Sequence, residues 1–176
     1  MASPTLVVVV GPIASGKSTV AAALGRRFRE SGRTVAVLDL DDHIETIGGF
    51  IDLPPERFRQ AQLVFGSLVG AWLAEGVDVI AHGPFFQRDE DDALLHAVPA
   101  DVVPRRVRLG CTYEVALRRV ETDPDRLLSA VPDFLKATYE RIDHLIPTMP
   151  PGEWVFDSTT TDAQSITDQL ADGLIG

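Results

Sequence analysis

Short apolar runs alternate along this chain with longer stretches in which apolar residues recur every three or four positions. Five of the short runs predict strands: Leu6–Val10, Thr34–Leu38, Val77–Ala81, Arg106–Gly110 and Trp154–Phe156. Their nearly continuous apolar character is typical of strands that helices cover on both faces. The alternation is the pattern of βα units around a parallel sheet. We therefore expect an α/β fold, a three-layer sandwich with a five-stranded parallel sheet.

Helical spacing fills the segments between these strands. Apolar residues lie four positions apart from Val20 to Phe28, and Gly32 is placed to end that helix. The stretch PPERFRQAQLVFGSLVGAWLAEG predicts a long helix with Pro55 in its first turn and Gly76 at its end. Further helices are predicted over Asp89–Val98, Tyr113–Glu121, Asp133–Leu145 and Thr161–Ile175.

Composition narrows the class of protein. A chain of 176 residues with 45% hydrophobic residues suits one domain, residues 1–176, with a buried core. Acidic residues outnumber basic ones 26 to 16, and the resulting net charge of −10 disfavours a nucleic-acid surface. The single cysteine, Cys111, has no internal disulfide partner and is interpreted as buried and inert. Because no leader pattern and no apolar stretch of about 18 residues is present, we expect a cytoplasmic protein that does not enter a membrane.

A phosphate-binding motif follows the first predicted strand. The segment GPIASGKS, Gly11 to Ser18, matches G-x-x-x-x-G-K-[ST] in full and lies between a strand and a helix, which is the context that this motif requires. Backbone amides at the helix N-terminus and the ammonium group of Lys17 would face the phosphates, and Ser18 would hold Mg²⁺. The sequence contains no Asn, which excludes the Asn-Lys-x-Asp motif of guanine-specific switch proteins. The predicted ATP-binding residues of this loop are Gly11, Ala14, Ser15, Gly16, Lys17, Ser18 and Thr19.

An acidic stretch, DLDDHIE, follows the second predicted strand at the sheet edge where open α/β folds bind ligands. Asp39 and Asp41 share one face if the strand continues through them. Two carboxylates beside a nucleotide repel its phosphates unless a cation lies between them, so one of the two is expected at Mg²⁺ and the other can accept a hydroxyl proton. The ordinary alternative for such a cluster is a helix N-cap, and Asp42 is the predicted cap.

The phosphate-binding loop followed by DLDDHIE resembles the small-molecule kinases of the shikimate kinase, gluconate kinase and chloramphenicol phosphotransferase group. This resemblance implies transfer of the γ-phosphoryl group of ATP to a hydroxyl group of a small molecule. It implies that Asp41 touches the acceptor hydroxyl, and that Asp39 helps to hold Mg²⁺ through water.

Two further segments extend the resemblance. ERFRQAQ resembles the FRxxE pattern of shikimate kinases, which implies that Arg59 binds an acceptor carboxylate, although Gln62 replaces the acidic residue. RRVETDPDRLL resembles a lid, expected at about residues 122–133. The resemblance implies that Arg119 packs on the adenine. A lid arginine that closes over the transferred phosphoryl group would be a catalytic residue, and Arg126 is the predicted one, with Arg118, Arg119 and Arg141 as the alternatives.

The segment after the third predicted strand departs from the shikimate kinase pattern. In shikimate kinases three consecutive glycines of this segment contact the substrate, whereas this chain has AHGPFF. The resemblance therefore implies the reaction and leaves the acceptor open between a hydroxy acid, a sugar and an antibiotic-like molecule. Candidate acceptor-binding residues, besides Asp41 and Arg59, are His82, Gly83, Phe85 and Arg141. A structural histidine, core aromatic residues and surface ion pairs are the ordinary alternatives for these residue types.

Two other functions remain compatible with the sequence. A nucleoside or nucleotide kinase would share the core and the lid, with a more basic pocket where the acceptor is a nucleotide. A regulator that binds ATP without transferring phosphate would need no general base, so the predicted role of Asp41 separates it from a kinase.

Overall fold

A computed structural model of the chain describes residues 3–49, 53–122, 132–145 and 149–175. It contains one five-stranded sheet in the order β2-β3-β1-β4-β5, and every neighbouring pair of strands is parallel. The strands are β1 (Leu6–Val10), β2 (Val35–Asp39), β3 (Asp78–Gly83), β4 (Arg105–Gly110) and β5 (Trp154–Asp157). The predicted α/β class and the five parallel strands are confirmed.

Helices cover both faces of the sheet and complete the three layers. They are α1 (Lys17–Glu30), α2 (Leu40–Glu45), α3 (Pro55–Ala74), α4 (Arg88–Leu95), α5 (Tyr113–Glu121), α6 (Pro132–Leu145) and α7 (Ala163–Ile175). On one face α1 and α7 form a core with the sheet. On the other face α2, α3, α4 and α6 form a second core with it. None of the helices in the described part of the chain is long and apolar enough to cross a membrane.

Glycines end two helices as the sequence predicts. Gly32 follows α1 with φ of 83°, and Gly76 follows α3 with φ of 76°. The next amide in each case donates back into the helix, from Arg33 to the carbonyl of Phe28 and from Val77 to that of Trp72. This is the left-handed helix ending that glycine permits without steric cost.

Helix α2 is not among the helices that the sequence predicts. Strand β2 ends at Asp39, whose carboxylate accepts a hydrogen bond of 2.9 Å from the amide of Asp41 and so caps α2. The prediction that Asp42 is the N-cap is therefore wrong, as is the continuation of the strand through Asp41. The cause is burial, because Leu40 and Ile44 are fully buried and four residues apart, which is the spacing of a helix.

Parallel pairing brings several strand ends to one edge of the sheet. The register places His82 opposite Asp39 on one side and opposite Val9 on the other. Val10 is the last residue of β1, so the loop between Val10 and Lys17 begins beside His82. The residues with candidate chemistry are therefore neighbours although more than forty positions separate Asp39 from His82 in sequence.

Candidate active site

The loop between β1 and α1 has the backbone of an anion cradle. Ala14 has φ of 60° and Gly16 has φ of 94°, so the chain turns sharply before α1 begins. A Cβ atom on Gly11 would lie 2.5 Å from the carbonyl oxygen of Leu109 and 2.6 Å from Oγ of Ser15, so only glycine fits there. Left-handed residues before a helix N-terminus present successive amides to an anion. The geometry is that of a phosphate-binding loop.

Lys17 is the cation of this cradle. Its Nζ donates a 3.0 Å hydrogen bond to the carbonyl of Pro12, which holds the ammonium group over its own loop. Burial raises the pKa of Asp39 and of Asp41, and the positive charge of Lys17 opposes this rise. Burial lowers the pKa of His82, and the charge of Lys17 acts in the same direction. The side chains of the next two residues, Ser18 and Thr19, are exposed in the first turn of α1. The structure therefore places Lys17 between the loop and the acidic edge of β2.

Asp41 has a buried carboxylate oxygen that accepts no hydrogen bond from the described residues. Burial raises the pKa of its carboxyl group, and the charge of Lys17 opposes this rise. Its Oδ1 atom is buried and has no hydrogen-bond partner among the described residues. A carboxylate with a raised pKa and a free acceptor oxygen is suited to take a proton from a hydroxyl group.

Asp39 is held differently from Asp41. One carboxylate oxygen accepts from the amide of Asp41, and the other lies 3.5 Å from Nδ1 of His82. Burial raises the pKa of Asp39, while the hydrogen bond from the Asp41 amide opposes the rise. Its side chain is 18% exposed, so one edge of the carboxylate is accessible to solvent.

Oxygen donors at this edge fit Mg²⁺. Among the described residues no group of three or more His, Cys, Asp and Glu side chains is arranged to hold a metal ion. Mg²⁺ does not require one, because it retains several waters and binds through one or two protein oxygens together with substrate phosphates. The hydroxyl of Ser18 and the carboxylate of Asp39 are such oxygens, and both remain predicted ligands.

His82 is a buried neutral histidine. It is 4% exposed, and its Nδ1 atom has no hydrogen-bond partner within the described ranges. Burial, aided by the charge of Lys17, lowers the pKa of His82 to about 4, although Asp41 and Asp42 act in the opposite direction. His82 is therefore uncharged at neutral pH and can exchange a hydrogen bond with a ligand in either direction, depending on its tautomer.

The burial of His82 predicts a pH-dependent stability. Its pKa is about 4 in the folded chain and about 6.5 in an unfolded one, so the unfolded chain binds a proton first as the pH falls. The stabilisation is complete above pH 6.5 and is lost as the pH falls toward 4. We expect the free energy of unfolding to decrease by about 3 kcal/mol over this range from His82 alone, as measured by urea denaturation at a series of pH values.

Substitution of His82 separates its contribution to the pH dependence of stability from the contributions of other groups. Asp39 and Asp41, whose pKa values are raised, change stability with the opposite sign, but they are present in both proteins that are compared. His82→Gln should lose most of the decrease between pH 6.5 and pH 4. His144→Gln, an exposed position on α6, should retain it. Identical pH profiles for wild type and His82→Gln would contradict the assignment.

Arg119 connects the phosphate-binding loop with a second loop beside it. Its guanidinium group donates to the carbonyl of Ala14 at 2.8 Å and to Oγ and the carbonyl of Ser158 at 3.1 and 2.7 Å. Helix α5 thus ties the phosphate-binding loop to the segment after β5. Packing of Arg119 on adenine stays a prediction, and these three hydrogen bonds establish its position beside the loop.

The candidate acceptor-binding residues in and after α3 and β3 have different surroundings in the structure. Arg59, half-buried on α3, donates to the carbonyl of Asp89 at the start of α4. Gly83 ends β3, and a Cβ atom there would lie 2.8 Å from Cβ of Leu40. Phe85 is 2% exposed and packs against Phe65 with ring centroids 6.1 Å apart. In this structure Phe85 is therefore a core side chain rather than the lining of an open pocket.

The lid region is described only at its borders. Arg126, with most of residues 122–133, lies outside the described residues, and the role predicted for it stays a prediction. Arg141 is exposed on α6, which packs against α5. Cys111 is half-buried rather than buried, and its Sγ lies 2.9 Å from the hydroxyl oxygen of Tyr139.

Gln62 is a further candidate for binding a ligand. In the sequence it stood out only because it replaces the acidic residue of the FRxxE pattern. It is 4% exposed on α3, and its Nε2 atom has no hydrogen-bond partner among the described residues. A buried amide donor without a partner is costly unless a ligand or water satisfies it. Gln62 lies one turn before Phe65, which packs against His43 of α2. It is therefore on the side of α3 that faces the acidic edge.

Comparison with known sequences identifies one family. A sequence model described as an AAA domain matches residues 6–141, which include the phosphate-binding loop, the acidic edge and α5. No curated protein sequence matches the chain.

Comparison with solved structures confirms the expected P-loop kinase fold. A sugar kinase from Janibacter is 20% identical with a TM-score of 0.68, and the match covers 98% of this chain and 95% of that one. Shikimate kinase from Acinetobacter baumannii is also 20% identical with a TM-score of 0.68, over 98% and 94% of the two chains. A gluconokinase from Sinorhizobium meliloti is 19% identical with a TM-score of 0.62, over 99% and 98%.

Proposed function

This chain belongs to the AAA domain family, and we propose that it is an ATP-dependent phosphotransferase that moves the γ-phosphoryl group to a hydroxyl group of a small molecule. The observation that carries the proposal is the pairing of a complete phosphate-binding loop with a buried carboxylate. The charge of Lys17 acts on Asp41, whose Oδ1 atom has no partner among the described residues. A protein that only binds ATP needs the loop but not this carboxylate.

The loop would bind and orient the donor. The amides at the N-terminus of α1 and the ammonium group of Lys17 would neutralise the phosphates, which lowers the electrostatic barrier to attack by an oxygen nucleophile. Mg²⁺, held through Ser18, Asp39 and the phosphates, would supply further positive charge to the oxygens of the transferred group. Arg126 is proposed to complete this cationic shell from the lid.

Asp41 would activate the acceptor. As the acceptor oxygen bonds to the γ-phosphorus, the bond from that phosphorus to the β-γ bridging oxygen breaks and ADP leaves with the electron pair. The hydroxyl proton passes to the carboxylate of Asp41. Burial raises the pKa of Asp41, which makes its carboxylate a stronger base than that of an exposed aspartate, and the charge of Lys17 favours the ionised form that accepts the proton.

The acceptor is proposed to be a small hydroxylated molecule such as a hydroxy acid, a sugar or an antibiotic-like compound. Solved structures with this fold include a shikimate kinase, a gluconokinase and a sugar kinase, which supports this class. Neutral His82 and the amide of Gln62 would add hydrogen bonds of the kind that hydroxyl groups make. Arg59 would supply a positive charge if the acceptor carries a carboxylate.

A direct test is ATP turnover across a library of hydroxylated small molecules, grouped as hydroxy acids, sugars, aminoglycoside-like and phenicol-like compounds, nucleosides and nucleotides. ADP formation is measured first, and mass spectrometry then identifies the product by the added mass of one phosphoryl group. We expect acceptor-dependent ADP formation with one of the first four groups. Phosphorylation of nucleosides or nucleotides alone would reject the proposed acceptor class, and binding of ATP with no transfer to any compound would reject the proposed activity.

A further inference from the structure

Helix α3 carries an apolar stripe on its outer side, defined by Leu63, Val64, Leu68 and Trp72. Their exposed fractions are 36%, 57%, 39% and 42%. Pairs of exposed residues alternate with pairs of buried ones along the helix, so the stripe is continuous from one turn to the next. The opposite side of α3 packs on α4 and β3. A contiguous exposed apolar surface of this kind marks an interaction site.

Opposite charges border the stripe at its two ends. Exposed Arg57 lies seven residues before Val64, and exposed Glu75, the C-cap of α3, lies seven residues after Leu68. Steps of seven residues return close to the same face of a helix, so both charges lie on the line of the stripe. The exposed positions of α3 between these two residues, all of them described, carry no charge.

The exposed side of α3 is complementary to the same side of a second copy when the two helices run antiparallel. In an antiparallel pair of α3 helices with a two-fold axis at the level of residue 66, Val64 faces Leu68 of the second copy. Arg57 then faces Glu75 of the second copy, and each charge lies about 13.5 Å along the helix from the axis. A two-fold interface uses the same surface of both subunits, so this contact occurs twice. A parallel pair would instead place like charges together.

We propose that the apolar stripe of α3 is the interface of a homodimer. The pairing buries the exposed leucines, valine and tryptophan and forms two Arg57–Glu75 ion pairs at the rim. The net charge of −10 disfavours two other kinds of partner, nucleic acids and acidic lipid surfaces, because both would be repelled. The helix has 20 residues and is about 30 Å long, so the contact is at the small end of specific interfaces and the dimer should dissociate on dilution.

Sedimentation velocity and light scattering of the full chain over a concentration series test the proposal. We expect a reversible monomer–dimer equilibrium. Val64→Glu places two carboxylates near the axis and should weaken dimerisation by at least about tenfold. The matched control is Val103→Glu, whose side chain is 75% exposed and lies outside α3, and it should leave the equilibrium unchanged. Thermal melting confirms that each variant is folded.

Charge reversal tests the orientation of the two helices. Arg57→Glu and Glu75→Arg should each weaken the dimer by about tenfold, because each creates two like-charge contacts. The double variant restores opposite charges and should return to within about threefold of wild type. A monomer at every concentration would overturn the proposal, as would a dimer that Val64→Glu leaves unchanged. Weakening by both single variants without rescue in the double variant would overturn the antiparallel arrangement. None of these results depends on the phosphotransferase activity.

Discussion

Asp41→Asn is expected to lower kcat for phosphoryl transfer by about 10²–10⁴-fold while ATP affinity stays within about threefold of wild type. The reason is that asparagine occupies the same space but cannot accept the hydroxyl proton. In the proposed mechanism ATP binding depends on the loop and Lys17, which the substitution does not alter. The measurement is steady-state ADP formation with the acceptor found in the library, together with calorimetric titration of ATP.

Stability gives this prediction a second readout. The pKa of Asp41 is raised in the folded chain, so its stabilising effect is greatest below about pH 4 and is lost as the pH rises through the folded value. The ionised form of this carboxyl group is therefore the form that opposes folding. Asp41→Asn removes that charge, and its melting temperature at pH 7 should be no lower than that of wild type.

The control for Asp41 is its exposed neighbour. Asp42→Asn removes the same charge one residue away on the solvent side of α2 and should retain most of the activity. Full turnover in Asp41→Asn would show that Asp41 is not the base. Equal losses in Asp41→Asn and Asp42→Asn would point to the summed charge of the acidic edge rather than to one proton acceptor.

The centre of the sheet could be predicted from sequence because β1 and β3 are buried along their whole length. Runs such as Leu6–Val10 carry the signal in every residue, and the structure returns the same bounds for β1. Helix α2 was harder to predict, because its six residues include three acidic ones and its apolar signal is reduced to Leu40 and Ile44. Only the tertiary packing of those two residues decides that β2 ends at Asp39.

The proposed donor side of the site was more predictable than the proposed acceptor side for a similar reason. The phosphate-binding loop is contiguous, so local backbone requirements, such as the space closed to a side chain at Gly11, appear as a motif. The acceptor side is assembled from α2, α3 and β3. The sequence does not show that Phe85 packs into the core against Phe65, or that burial leaves Gln62 and His82 with unpartnered atoms. These features depend on contacts between distant segments.

Lys17→Ala should affect both binding and rate. A charged hydrogen bond contributes about 1.5–3 kcal/mol, which corresponds to at least about tenfold in ATP affinity. Loss of a cation that stabilises the transferred phosphoryl group should lower kcat by a further factor of about 10²–10³. Calorimetric titration of ATP and steady-state ADP formation measure the two effects separately.

The composition of the chain provides an unusually clean control for Lys17. Lys136, exposed on α6, is the only other lysine, so Lys136→Ala should leave both constants unchanged. The same fact permits a test on the unaltered protein. Acylation with a lysine-selective reagent, followed by mass spectrometry, should modify Lys136 at the same rate with and without MgATP, whereas MgATP should protect Lys17. Equal modification of Lys17 in both conditions, or wild-type turnover in Lys17→Ala, would mean that the ammonium group does not contact the nucleotide.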